Sequence, residues 1–388
     1  MREFIPYGKQ WIDDDDVKPI AETAKSNFIT QGPRVVDFEN ALCKITGAKY
    51  AVVVCNGTAA LHLAVAALHD DSFPSGEGIT SPNTFLASSN AMIYNDLKPI
   101  FADIDAETFL ISPQEIEKKL TSNTRVIIPV HFAGQTADME KISVLAKKGN
   151  IPVIEDAAHA IGSTYADGSP VGNCKYSEMT IFSFHPVKTI TTGEGGAIMT
   201  NSETLYKKLI MLRSHGVTKE NDLMSQNPGD WYYEMQYLGF NYRMTDFQGS
   251  LGISQLKKLG KFAARRRDIV ETYNRAFKDL NWLKTPVERH PGHAVFHLYV
   301  LQIDFEKIGQ SRKEVMDKLR TNSIGTQVHY IPVHIQPYYQ KRYKYAMGDF
   351  PITEKFYSQA LSIPLYPKMT DDEVAHVIDG IKGLYDGD

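Results

Sequence analysis

What most constrains this chain is the repeated alternation of short apolar runs with helical patterns. Residues 50–55, YAVVVC, read as a buried strand. The following NGTAALHLAVAAL turns at Asn56-Gly57 and then reads as a helix, because alanine and leucine are strong helix formers. Further strand candidates are GIT at 78–80, KPIFADI at 98–104, RVIIPVH at 125–131, IPVIED at 151–156, MTIFSF at 179–184 and GAIMT at 196–200. Helical patterns at 83–94, 112–120 and 138–148 lie between them. Such alternation, with β-branched strand runs, predicts an α/β fold with a mostly parallel central sheet.

Near residue 245 the character changes. Residues 246–280 read as one or two helices, His297 to Ile303 as a strand, 312–322 as a helix, 327–330 as a short strand and 371–384 as a closing helix. These features predict a large domain over 1–245 and a smaller α/β C-terminal domain over 246–388. The N-terminal stretch, about thirty residues long, fits against either.

Composition narrows the function. With 388 residues and 43% apolar side chains, the chain can bury a large core without a metal or disulfide. A net charge of -4 with mixed signs gives no basic stripe, which argues against a nucleic acid polymer as partner. Cys43, Cys55 and Cys174 form no CxxC pair and no zinc spacing, so no metal is expected and a reduced, cytoplasmic setting is. The sequence offers neither a membrane span nor a signal-peptide apolar region.

Chemistry concentrates at strand ends. IPVIEDAAHA, 151–160, delivers Asp156 to the end of a strand, where open α/β sheets bind ligands. Asp156 there either caps the next helix or pairs with a protonated pyridine nitrogen. In MTIFSFHPVKTITTGEGGAIMT, 179–200, a strand ends near Ser183, and Lys188 precedes the glycine-rich turn Gly193-Glu194-Gly195-Gly196. A lone loop lysine is usually solvated; buried beside a cationic ring, it can condense with an aldehyde and then be released as a neutral amine. Asn56-Gly57-Thr58-Ala59-Ala60 turns into a helix start, whose N–H groups can cradle phosphate with the hydroxyls of Thr58 and Ser183. Phe85 is either a core aromatic or a face for the ring to stack on. His159, one helical turn from Asp156, either orients that carboxylate or lies against the ring, and Gln135 is placed to donate to the ring hydroxyl. Together they supply an anchor, a ring-nitrogen acid, a stacking face and phosphate donors, the division of labour that pyridoxal 5′-phosphate requires.

The motifs CNGTAALHLA, PNTFLASSNA, PVHFAGQTADM, VIEDAAHAIGSTY, SFHPVKTITTGEGGAI, LGFNYRMTDFQGSLGISQL and QVHYIPVHIQPYY, in this order, resemble the DegT/DnrJ/EryC1/StrS sugar aminotransferases over almost the whole chain. The resemblance implies the fold of the type I pyridoxal phosphate aminotransferases. It implies that Lys188 is the covalent anchor and Asp156 the ring-nitrogen partner. Thr58, Ala59 and Ser183 match phosphate positions, and Asn241 the residue that reaches the neighbouring subunit's phosphate in a homodimer with shared active sites. L-glutamate is the family's usual amino donor.

FIPYGKQWI, SFHPVKTITTGEGG and SIGTQVHYIPVH are similar to the PseC type, which acts on UDP-linked 4-keto-6-deoxy-N-acetylhexosamines in pseudaminic acid biosynthesis. By that likeness Tyr7, Ile29, Thr30, Gln31, Gly32, His329 and Tyr330 face the substrate. Family members that dehydrate sugars carry histidine where this chain has Lys188. A nicotinamide enzyme is disfavoured, because the early turn lacks G-x-G-x-x-G. A regulator that merely keeps the cofactor would need a DNA-binding module, and no stretch of the sequence reads as one.

Overall fold

A computed structural model describes residues 3–68 and 75–385. The central sheet contains strands β1 (Tyr50–Val54), β2 (Gly76–Thr80), β3 (Leu97–Phe101), β4 (Thr124–Ile128), β5 (Ile154–Asp156), β6 (Met179–Ser183) and β7 (Gly196–Thr200). Three pair in the order β3-β2-β4 and four in the order β5-β6-β7-β1. Bridges Ile127–Val153 and Val130–Asp156 join the two groups into one sheet. All strands run the same way except β7, which is antiparallel to both β6 and β1. The expected mostly parallel sheet is therefore present.

That topology positions the site. In a parallel sheet the strands deliver their C-terminal ends to one edge. The register Asp156–Ile181 and Ser183–Gly196 sets β5 beside β6 and folds β7 back on it. The 184–195 loop that carries Lys188 therefore starts and ends at the edge where β1 runs into Asn56. The helix Gly57–Leu68 is apolar almost all round and correspondingly buried between the sheet and its neighbours.

The stretch after residue 245 forms one helix, Asp246–Phe277, not two. Thr245 and Gln248 close its N-terminus as a capping box. Its first half packs on the helix Pro33–Thr46, and a Cβ at Gly252 would lie 2.5 Å from the Phe38 ring, so only glycine allows this approach. Its second half, from Ile269 to Phe277, joins a separate core with Tyr299, Val315, Leu361 and Val377. An antiparallel sheet of Leu283–Lys284, Tyr299–Ile303 and Ala360–Ile363 supports that core. We propose two domains divided at the start of this helix, with Ile5 crossing to the second core.

Residues 327–330 do not form the short strand expected of them. Only Gln327 pairs, with Ser362, and the chain then turns so that His329 and Tyr330 enter the large cavity. No helix among the described residues is long and apolar enough to cross a membrane.

Candidate active site

A cavity of about 1090 Å³ opens at the C-terminal edge of the sheet. Asp156, His159, Lys188, Thr58, Ala59, Ser183, Phe85, Tyr7, His329 and Tyr330 all line it. They come from distant stretches of sequence, and the strand ends bring them together.

Strand alternation separates the two adjacent acids of β5. Asp156 faces the cavity. Its Oδ2 accepts a 2.6 Å bond from Ser88 Oγ, and Oδ1 a 3.2 Å bond from the Ala158 N–H. Burial pushes its carboxyl above the usual range, against the pull of Ser88, Ala158 and the nearby charge of Lys188. Glu155 points the other way. Burial raises its pKa too, but bonds from His131, Ser177 and Tyr165 outweigh that and hold it low. His131 Nδ1 accepts from the Ala137 N–H, so Nε2 carries the proton that Glu155 receives.

Lys188 Nζ makes no hydrogen bond among the described residues. Loss of solvation lowers its pKa to about 8, and the charge of Asp156 opposes the shift. Roughly a tenth is therefore neutral amine at pH 7, far more than for an ordinary lysine.

Gly57 opens the turn into its helix. A Cβ there would lie 2.8 Å from Ser183 Cβ, so the bare backbone lets Ser183 close on the helix start. The Ala59 N–H is already taken by Asn56 Oδ1 at 2.8 Å, which leaves the free hydroxyls of Thr58 and Ser183 as the clearer phosphate donors. Phe85 is 57% exposed, more than a core aromatic allows, and its ring lies 6.1 Å from that of Tyr330.

Several expected site residues have other partners within this chain. Of the two readings of His159, the hydrogen bond to Asp156 is absent, and the one that lays it against the cofactor ring stays open. Its Nδ1 accepts from the Ala133 N–H at 3.3 Å, which puts the proton on Nε2, 3.1 Å from Tyr330 Oη. Burial, then Lys188 and His329, holds this imidazole well below its ordinary pKa. Gln135 does not line the cavity, and its Oε1 accepts the Arg289 N–H at 2.9 Å. Ile29, Thr30, Gln31 and Gly32 do not line the cavity of their own chain. The Gly32 N–H donates to Asp246, Thr30 pairs with Thr245, and the stretch is largely exposed. Asn241 likewise lies outside its own cavity and is exposed, paired through its backbone with Ser214.

Sequence reasoning missed Ser88, the direct partner of Asp156. Its signal is the Thr84–Ser88 spacing, one helical turn, and Thr84 Oγ1 indeed lies 2.8 Å from Ser88 Oγ. Tyr7 and His329 pack their rings 5.3 Å apart, and His329 Nδ1 lies 2.8 Å from Ser362 Oγ.

Known proteins match this arrangement along its length. SpsC of Bacillus subtilis (strain 168), a spore coat polysaccharide biosynthesis protein, is 40% identical over 99% of this chain and 98% of its own. The structure of Helicobacter pylori PseC, an aminotransferase involved in the biosynthesis of pseudoaminic acid, superimposes with a TM-score of 0.91 at 30% identity, covering 99% of each chain. Spr1654 from Streptococcus pneumoniae, described as a sugar aminotransferase, matches in its PLP form with a TM-score of 0.89 at 28% identity over 98% of each chain, and also in a PMP form. The model of the DegT/DnrJ/EryC1/StrS aminotransferase family matches residues 10–382, and the chain belongs to that family as a sugar aminotransferase.

Proposed function

We propose that this aminotransferase carries pyridoxal 5′-phosphate on Lys188. It moves the amino group of L-glutamate to the 4-keto carbon of a UDP-linked 4-keto-6-deoxy-N-acetylhexosamine. The observation that carries the reading is a desolvated lysine and a buried carboxylate meeting a glycine-shaped turn at one sheet edge. The PLP and PMP forms of Spr1654 imply the same cofactor here.

The donor set fits that group. Lys188 would hold its aldehyde carbon, Asp156 its protonated ring nitrogen, Phe85 one ring face, and Thr58 with Ser183 its phosphate. When bound, the cofactor supplies an electron sink for the carbon that exchanges a proton. Lys188 Nζ takes the Cα proton of glutamate and, in the sugar half, returns a proton to the sugar C4. Ser88 and the Ala158 N–H fix the Asp156 oxygens while the carboxylate faces a positive charge. Because the free amine is the reactive form, capture of the cofactor by apo-protein should speed up as pH rises to about 8 and then level off. Absorbance stopped-flow across pH checks this; a rate still climbing toward the ordinary lysine value would contradict it.

The likeness to PseC-type sequences supports the 4-keto sugar and pseudaminic acid biosynthesis. The 40% identity to SpsC favours a second reading, a different nucleotide sugar destined for a polysaccharide. Mass spectrometry of products from isotopically labelled glutamate and a panel of nucleotide-linked keto sugars separates them. Label in a UDP-linked 4-amino sugar supports the first, and label only in another sugar supports the second. Loss of oxygen without nitrogen gain, as in a dehydratase, overturns both.

We also propose a homodimer with shared sites. Asn241 lies outside its own cavity, in the same stretch of chain as Leu238, which is 81% exposed, and Trp231, which is 72% exposed; a second copy of the chain would cover them. Once N241A alone has proved severely impaired, a purified K188A/N241A heterodimer should regain turnover. It then holds one site with both residues intact. A folded heterodimer that stays inactive would overturn sharing.

A further inference from the structure

The cavity wall holds a further imidazole, that of His297, which the proposed mechanism does not use. His297 lies just before the strand Tyr299–Ile303 and is 4% exposed. Its backbone is fixed from both sides. The N–H donates to the Ala133 carbonyl at 2.9 Å, and the carbonyl accepts from the buried Arg266 guanidinium at 3.3 Å. The ring packs 4.5 Å from that of His159 and lines the large cavity. Yet Nδ1 is buried with no hydrogen-bond partner, and no other described group bonds the ring.

Its neighbours differ in this respect. His159 is held between Ala133 and Tyr330, and His329 is tied to Ser362. Buried polar nitrogens without a partner are uncommon because they are costly. A fold that clamps one in the wall of a ligand cavity points to a partner that arrives with the ligand.

Charge decides which ligand it is. Burial, then Lys188 and His159, with Arg266 and His329 adding to them, holds this imidazole well below its ordinary pKa, so the ring is neutral. A neutral imidazole offers one N–H and one lone pair. That matches a hydroxyl, which both donates and accepts, better than a carboxylate, which calls for a cation. Glutamate brings two carboxylates and no hydroxyl; the 4-keto-6-deoxy-N-acetylhexosamine keeps one ring hydroxyl, at C3. We propose that His297 holds the keto-sugar substrate through a hydrogen bond to a sugar hydroxyl and takes no part in the glutamate half-reaction. This rests on the nucleotide-sugar reading above and assigns a residue to one half of it.

The test runs the two half-reactions separately on cofactor-loaded protein, each read from the cofactor absorbance. L-glutamate is given to protein loaded with the aldehyde form of the cofactor, and a UDP-linked 4-keto-6-deoxy-N-acetylhexosamine to protein loaded with the aminated form. His297→Ala should raise the sugar concentration needed for half-maximal rate roughly tenfold, the order of one lost hydrogen bond, and leave the glutamate half unchanged. His297→Asn, which keeps a donor and an acceptor, should recover part of the loss, whereas His297→Phe should not. Calorimetric binding of UDP-N-acetylglucosamine to the same variants gives a readout independent of turnover, and should weaken in the same order. Unchanged sugar kinetics in His297→Phe protein that loads cofactor normally would overturn the proposal. So would equal losses in both halves, which mark a structural role. Wild-type protein that reacts with glutamate but with no UDP-linked keto sugar overturns the substrate reading instead.

Discussion

Lys188→Ala is expected to abolish covalent cofactor attachment and to lower turnover by on the order of 10⁴-fold or more, because one side chain serves as both anchor and proton carrier. The fold should tolerate the change. Lys188 Nζ has no hydrogen-bond partner to be orphaned, and burial already disfavours its charged form. Truncation therefore removes a strained charge rather than a structural bond. Measured 2-oxoglutarate formation should fall to background while the thermal midpoint stays near that of the wild type. Full activity in a folded K188A protein would rule out the mechanism.

Asp156→Asn should lower kcat by roughly 10²- to 10³-fold, the scale seen when one preorganised electrostatic partner is removed. A neutral amide cannot hold a ring proton as a carboxylate does, so the cost falls on the transition state. Local bonding explains why folding survives. The amide oxygen can still accept from the Ala158 N–H, and the new NH₂ can donate to Ser88 Oγ, whose own proton turns to Thr84. His159→Ala should be milder, since it removes a contact to Tyr330 rather than a charge. Near-normal kcat in folded D156N protein would count against the role.

Much of the arrangement was legible because strand chemistry is local. GAIMT at 196–200 is β7 residue for residue, and IPVIED ends on Asp156 where β5 ends. Lys188 stood out because it lies between two strands that had to pair. What failed depended on long-range hydrogen bonds that sequence does not display. Gln135 sits after a strand end as expected, yet it lies outside the cavity lining, with its side-chain oxygen accepting from the Arg289 N–H, 154 positions later. The 29–32 stretch, expected to face the substrate, is tied to Asp246 at the start of the long helix and lies outside the cavity of its own chain. His159 keeps its place in the cavity and changes partner, because a backbone N–H and a tyrosine reach it first. The helices Pro33–Thr46 and Pro351–Gln359 had no reading of their own, although a proline stands at the start of each.

The central claim is that Lys188 carries the cofactor, and borohydride reduction of holo-protein followed by peptide mapping tests it most directly. Reduction fixes whichever amine holds the aldehyde, and proteolysis then reports its position by mass. The predicted result is a single pyridoxyl-modified peptide whose modified residue is Lys188, absent from K188A protein. Modification of another lysine, or a loaded protein with no reducible attachment, would contradict the account.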